Sequence, residues 1–313
     1  MTAATPPLSS SIPSQAQARA RPGLSGADLG LYAIVVFAWS TSWIALKWQL
    51  GVVAPEVSIV WRFAVASAIM FAWAAASGAR LAYPLAAHAR FALLGLLIFG
   101  CNFLCFYYGG LSTPSGLLAV VFSTASLFNL LLAWPLLGQR IEPRVAAGAA
   151  LGLGGVLLMF APRLFGAAFD ASAALGFGFC VLGTLLFCSG NMLSTAIQRS
   201  GIGVIPAAAW GMLYGVVALA LFAAARGDAF AIEATPRYLA GLFWLAVVSS
   251  VAAFAAYLTL LGRIGAARAG YSTVMFPVFA LLISTALEGY QWTWPAILGL
   301  VLALAGNLLV LRR

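Results

Sequence analysis

RVAAGAALGLGGVLLMF (144–160) carries one charge, on its first residue, and after it only small and apolar side chains. A helix built from this stretch has no polar face for water, so it belongs inside a large core or in lipid. The rest of the chain decides between the two. Crossing a bilayer takes about 20 mostly apolar helical residues. Dividing the 313 residues at Pro, Gly and charged clusters leaves ten such runs, near 30–48, 56–77, 90–110, 115–136, 144–161, 172–197, 204–224, 237–259, 268–287 and 293–311. Membrane strands would run about 9–11 residues with alternating polarity, a pattern absent here. The sequence is 64% apolar and 7% charged, against roughly 25% charged in soluble domains. So few charges cannot cover a soluble surface of this size. The reading is an all-α integral membrane protein with ten transmembrane helices.

Residues 1–28 differ: they are rich in Pro, Ser and Ala, lack periodicity, and read as a disordered tail. They do not read as a cleaved leader, because the apolar run that follows is too long and nine more come after it. The net charge of +9 would suit a nucleic-acid partner if it were clustered, but it is spread over the segments between spans. With the N-terminus in the cytoplasm, eleven cations fall inside: Arg19, Arg21, Arg80, Arg90, Arg140, Arg144, Arg199, Arg263, Arg268, Arg312 and Arg313. Five fall on the other side: Lys47, Arg62, Arg163, Arg226 and Arg237. This bias is the positive-inside signature. It predicts both termini in the cytoplasm and no nucleic-acid partner.

Shifting the sequence by 151 residues aligns it with itself. Gly138, Gly148 and Gly155 then meet Gly289, Gly299 and Gly306, and Phe128 and Leu130 meet Phe279 and Leu281. The matched regions are spans four to five and nine to ten, so the repeat unit is five spans. An odd unit forces the second copy to insert in the opposite sense, the inverted-repeat plan of many secondary transporters. The halves are expected at 29–161 and 172–311.

Three stretches resemble a known family. They are FAWSTSWIALKWQLGVVAPEVSIVWRF (37–63), LLAVVFSTASLFNLLLAWPLLGQRIEPRVAAGAALGLGGVLLMF (117–160), and LGRIGAARAGYSTVMFPVFALLISTALEGYQWTWPAILGLVLALAGNLLVL (261–311). All are similar to EamA-type domains of the drug/metabolite transporter superfamily. The resemblance implies ten helices in two inverted halves and movement of small metabolites across the cell membrane. Gln139 stands where members of that family often carry Glu, and the second half keeps its acid at Glu288, one register earlier.

Polar side chains inside spans are costly and face a cavity or another helix. Ser40, Trp43 and Lys47 form one stripe on span one, flanked by Trp39. Ser123, Ser126 and Asn129 form another on span four, and Asn191, Ser194 and Gln198 one on span six, after Ser189. Ser250, Phe254 and Tyr257 share a face of span eight, and Tyr271, Ser272 and Met275 of span nine. Asn102 and Tyr108 come from span three, and Trp210 and Tyr214 from span seven. Taken singly, such residues serve as glue between helices. Taken together, the stripes predict a central pathway lined by Trp39, Ser40, Trp43, Arg62, Asn102, Ser126, Asn129, Ser189, Asn191, Trp210, Tyr257 and Tyr271, with Pro277 as a hinge in span nine. Arg62 is expected at the outer mouth, paired with Glu56 or with a substrate carboxylate, and Lys47 either snorkels to the interface or joins the pathway. Spans five and ten, with small residues at Gly148 and Gly152 and at Gly299 and Ala303, read as scaffold that packs within the protein or against a second copy in a homodimer.

Absences narrow the function. No acid lies near the middle of any span, which argues against a proton-coupled exporter of lipophilic cations. The single histidine, His88, is predicted in a loop, and Cys101, Cys105, Cys180 and Cys188 read as small packing thiols, so no metal and no cofactor are expected. No nucleotide-binding motif is present, and no catalytic constellation marks a membrane enzyme. The expectation is a secondary transporter, an exporter of small polar metabolites such as amino acids or organic acids. A sugar-phosphate or nucleotide-sugar exchanger would need more cations than Lys47 and Arg62, and a non-transporting scaffold would not need the polar stripes.

Overall fold

The computed structural model describes residues 25–137, 143–165, 170–264 and 272–311. The part of the tail at 1–24, Gln139 and Tyr271 lie outside them. Every regular element among the described residues is a helix, and none is a strand. The first helices are α1 (Gly26–Lys47), α2 (Pro55–Ala76) and α3 (Leu85–Ser112). Then come α4 (Ser115–Ser123 continued by Ala125–Leu137) and α5 (Pro143–Phe165). The second set is α6 (Ala171–Arg199), α7 (Val204–Arg226), and α8 (Pro236–Phe243, Trp244–Ala252 and Ala253–Ile264 in continuous succession). It closes with α9 (Ser272–Glu288) and α10 (Trp294–Leu311). Seven helices are long and apolar enough to cross a membrane, and three shorter apolar helices accompany them. Leu29, Phe37, Leu151, Leu221, Phe243, Leu282 and Leu298 are exposed, an apolar outer surface suited to lipid.

Helix ends follow local chemistry. The first helix begins inside the expected tail, because Ser25 and Asp28 form a capping box: the Asp28 amide donates to Ser25 Oγ and the Ser25 amide to the Asp28 carboxylate. Asp170 accepts hydrogen bonds from the amides of Ser172 and Ala173 and so caps α6. The Ser172 hydroxyl and the Ala173 amide hold its carboxyl below its usual range. The seventh helix stops at Gly227, whose φ of 77° is a left-handed cap that glycine adopts without a steric penalty. The fourth helix breaks at Thr124. There Ser123 Oγ donates to the Val120 carbonyl and Thr124 Oγ1 to the Val121 carbonyl, local bonds that bend a helix.

Two helices contain π-helical stretches, Gly95–Cys101 in α3 and Trp244–Ala252 in α8. Leu85 and Pro236, which open these two helices, are 151 residues apart. The same interval separates the starts of α5 and α10, Pro143 and Trp294, and the ends of α4 and α9, Leu137 and Glu288. Packing repeats too: α3 lies on α6 as α8 lies on α1, and α4 on α6 as α9 on α1, while α2 packs on α7 and α4 on α9.

The expected small-residue faces of spans five and ten are used within the chain, against each other. A Cβ added at Gly155 would sit 2.5 Å from the Gly299 carbonyl oxygen and 2.6 Å from the Ala303 nitrogen. One at Gly148 would sit 2.6 Å from Val310 Cγ2. Backbones this close leave no room for side chains. Gly148→Leu or Gly299→Leu is expected to reduce the monodisperse protein recovered on size exclusion in detergent, since overpacking costs about 1–3 kcal/mol, without changing which solute is carried.

Candidate functional site

Six helices place aromatic rings around one point in the core. Trp43 of α1 meets Phe106 of α3 at 5.2 Å and Phe122 of α4 at 5.5 Å between ring centroids, and stacks on Phe276 of α9 at 6.5 Å. Phe122 touches Phe187 of α6 at 4.8 Å. Trp39, one turn before Trp43, meets Tyr257 of α8 at 5.2 Å and Phe276 at 6.5 Å. Trp43 is nearly buried, while Trp39 and Tyr257 are half-buried. The i, i+4 spacing of the two tryptophans sets both on one face of α1. Of the sequence-expected residues, Trp39, Trp43 and Tyr257 come together here. Phe106, Phe122, Phe187 and Phe276 were not among the expected residues, because a phenylalanine in an apolar run looks like any lipid-facing or core residue.

The expected serines and asparagines divide by what their polar atoms do. Ser40 and Ser189 donate to carbonyls four residues back in their own helices, Val36 and Leu185. Asn102 is buried, and its amide donates to the Gly183 carbonyl at 2.7 Å, so it ties α3 to α6 instead of facing a pathway. Ser126 donates to Asn307 of α10, whose amide in turn reaches Ser123 Oγ at 3.5 Å. This ties α4 to α10. Asn191 and Asn129 face each other between α6 and α4 at 3.5 Å and are half-buried. Trp210 stands apart from the aromatic cluster. Its indole donates to the Leu81 carbonyl at 3.1 Å, and its ring packs on His88 and Phe71, in a separate apolar group with Phe91 and Ile197. Pro277 is buried inside α9, and the helix continues through it.

Arg62 of α2 is the buried charge of this core, with 4% of its surface exposed. Its Nη2 and Nε donate to Ser250 Oγ, at 3.1 and 3.3 Å, in the π-helical stretch of α8. Its guanidinium lies 4.2 Å from the centre of the Phe103 ring and 5.0 Å from that of Phe63. Tyr107 sits beside it and donates to Gln49 Oε1, while the Gln49 amide nitrogen is buried without a partner. The expected Glu56 partner is engaged elsewhere: its carboxylate takes Arg226 Nε at 3.2 Å and the Tyr108 hydroxyl at 3.1 Å. Among the described residues no carboxylate lies within ion-pair distance of Arg62. Phe103 over the guanidinium and Phe106 against Trp43 are three residues apart on α3, about 4.5 Å of rise. The cation and the aromatic cluster therefore adjoin. Arg62 is buried in the core, not at a mouth, and the pairing with Glu56 is overturned.

No group of three or more metal-ligating side chains occurs among the described residues. Asn102→Ala is expected to destabilise the protein by about 1 kcal/mol through loss of one buried hydrogen bond. A lowered thermal midpoint in detergent with unchanged solute preference would match its role as a tie.

The family model described as "EamA-like transporter family" matches residues 28–161 and again 174–312. The chain is 24% identical over 292 residues to an Escherichia coli K12 protein named "Probable amino-acid metabolite efflux pump", covering 90% of this chain and 94% of that one. It is 26% identical over 268 residues to the E. coli K12 "Uncharacterized inner membrane transporter YedA", covering 85% and 83%. It is 23% identical over 279 residues to the Bacillus subtilis "Uncharacterized transporter YoaV", covering 89% and 94%. A crystal structure with 18% sequence identity superposes with a TM-score of 0.64 over 92% of this chain and 96% of its own, a likeness of fold.

Proposed function

The chain belongs to the EamA-like transporter family, a membrane transporter and not an enzyme, and we propose that it exports small polar metabolites bearing a carboxylate, by alternating access at the core where Arg62 adjoins the aromatic cluster. The observation that carries this reading is Arg62 itself. A buried guanidinium without a carboxylate is costly, and a planar fork with several donors suits a carboxylate bidentately. A carboxylate arriving as cargo would supply the missing charge, and the rings of Trp39, Trp43 and Tyr257 would receive the body of the solute. Amino acids and organic acids have this form, and the relative named for amino-acid metabolite efflux supports the choice. In this reading Trp39, Trp43, Arg62, Asn129, Asn191 and Tyr257 line the pathway, with Pro277 beside it as a hinge.

The same proposal takes the ten helices as two five-helix halves related by a two-fold axis in the membrane plane. Its supports are the 151-residue interval between helix ends, the paired π-helical stretches of α3 and α8, and the exchange-symmetric packing. Alternating access follows when the halves rock about a site between them. Both termini are taken to be cytoplasmic, on the eleven-to-five distribution of cations. A reporter that fluoresces only in the cytoplasm, fused after Arg313, is expected to be bright; a dark, stably expressed fusion would reverse the topology.

Overexpression is expected to protect cells from a toxic amino acid or carboxylic acid and to speed its efflux from preloaded vesicles. Arg62→Gln is expected to cut that efflux tenfold or more with expression intact, since a hydrogen bond to a charged group contributes about 1.5–3 kcal/mol. Arg62→Lys should recover little, because the fork is gone. Full efflux by Arg62→Gln would reduce Arg62 to a tie among α2, α3 and α8.

A further inference from the structure

Lys47 and Glu288 sit far apart in sequence, at the last residues of α1 and α9, and meet at one end of the helix bundle. Lys47 Nζ lies 4.0 Å from Glu288 Oε1, with both side chains mostly buried. Apart from one contact within α9, the other polar contacts of the pair reach further helix ends. Lys47 Nζ donates to the carbonyls of Gly110 and, at 3.3 Å, Thr113, at the close of α3. Glu288 Oε2 accepts from the amide of Ser115 at 2.9 Å, from the Ser115 hydroxyl, and from Ser284 at 2.7 Å. Ser115 opens α4, so the carboxylate also caps that helix, where a negative charge is favoured by the helix dipole. One ion pair thus joins the ends of α1, α3, α4 and α9. Five of the rings in the aromatic cluster come from these helices: Trp39, Trp43, Phe106, Phe122 and Phe276.

The opposite end of the bundle holds a different and more exposed ion pair, Arg263 of α8 with Asp28 in the first turn of α1 at 2.8 Å. Displaced by 151 residues, Lys47 corresponds to Gln198 and Glu288 to Leu137, a pair that carries no charge. The backbone repeats while this contact does not. Unlike clasps at the two ends, with the Lys47 side chain 23% exposed and that of Arg263 46%, bias a two-state element toward the state in which the more tightly held end is shut.

We propose that Lys47 and Glu288 are positioning residues for transport: their clasp holds the core closed on the face opposite the chain's start and must part for the core to open there. This rests on the alternating-access reading above, and it adds which residues hold one of the two closed faces. Lys47 is then neither an interface anchor nor a substrate ligand, and the acid that ends α9 acts by gathering helix ends.

Thr113 supplies a reporter. It is buried, its carbonyl accepts from Lys47, and its own hydroxyl has no partner, so Thr113→Cys removes no hydrogen bond. In sealed vesicles of each orientation, a membrane-impermeant maleimide is expected to label this cysteine slowly, above the background set by the parent chain with its four native thiols. Adding Glu288→Gln or Lys47→Met is expected to raise the labelling rate threefold or more from the face opposite the N-terminus. Glu288→Asp, which keeps the charge, is expected to stay closer to the parent. Lys47→Met leaves Glu288 on the α4 amide, so it decides the matter if Glu288→Gln fails to fold. Unchanged labelling in both variants overturns the clasp, and so does an equal rise from both faces, which would mean general loosening. The labelling needs no substrate, so a failure to find transported carboxylates would count against the proposed function, and the labelling against the clasp.

Discussion

Hydrocarbon offers no hydrogen-bond partner, and most polar contacts in this protein can be traced to that constraint. An unpaired polar group in lipid costs several kcal/mol, so the side chains inside the spans turn to the protein. Ser40, Thr41, Ser189 and Thr195 bond carbonyls of their own helices. Asn102, Ser126 and Asn307 bond across to other helices. Close helix approach then comes from glycine, whose absent side chain lets α5 and α10 meet backbone to backbone. Beside these neutral groups, Arg62 is a full charge in the core that donates to the Ser250 hydroxyl and lies against the Phe63 and Phe103 rings.

Backbone and side chains follow different rules of symmetry here. The starts of α3 and α5 and the end of α4 recur 151 residues on in α8, α10 and α9, and the π-helical stretches and packing partners recur with them. The chemistry does not: Arg62 corresponds to Leu213, its partner Ser250 to Phe99, and Glu288 to Leu137. Under the proposed alternating access, a duplicated frame would provide two similar ways to close, and unlike side chains on the two halves would make those closures unequal in energy. In a transporter of this family, that inequality is a physical route to a preferred resting face.

The membrane class, the apolar helices and the duplication within the chain were legible from residues 144–160 outward, because each depends on properties that add along the chain: apolar length, glycine register and cation distribution. The family resemblance matched the comparisons for the same reason. Trp39, Trp43 and Tyr257, which meet in the aromatic cluster, were legible as candidates because indole and phenol groups inside spans are conspicuous. Their partners Phe106, Phe122, Phe187 and Phe276 were not, since a phenylalanine's role depends on which helix it faces. Asn102 and Trp210 carried the same polar signal as the residues of the central cluster, yet one ties two helices and the other packs on His88. Helical spacing states which face a residue occupies and is silent on what lies opposite.

By itself, then, the sequence determined that this chain spans a bilayer in helices and that its two halves share a pattern, because hydrophobicity and repeat register are local or additive. Tertiary structure decided the pairings. It took Glu56 away from Arg62 and gave it to Arg226, brought Lys47 to Glu288 across more than two hundred residues, and used the glycine faces of α5 and α10 on each other. An ion pair or a buried contact is a distance between segments, and only the packed helices set that distance.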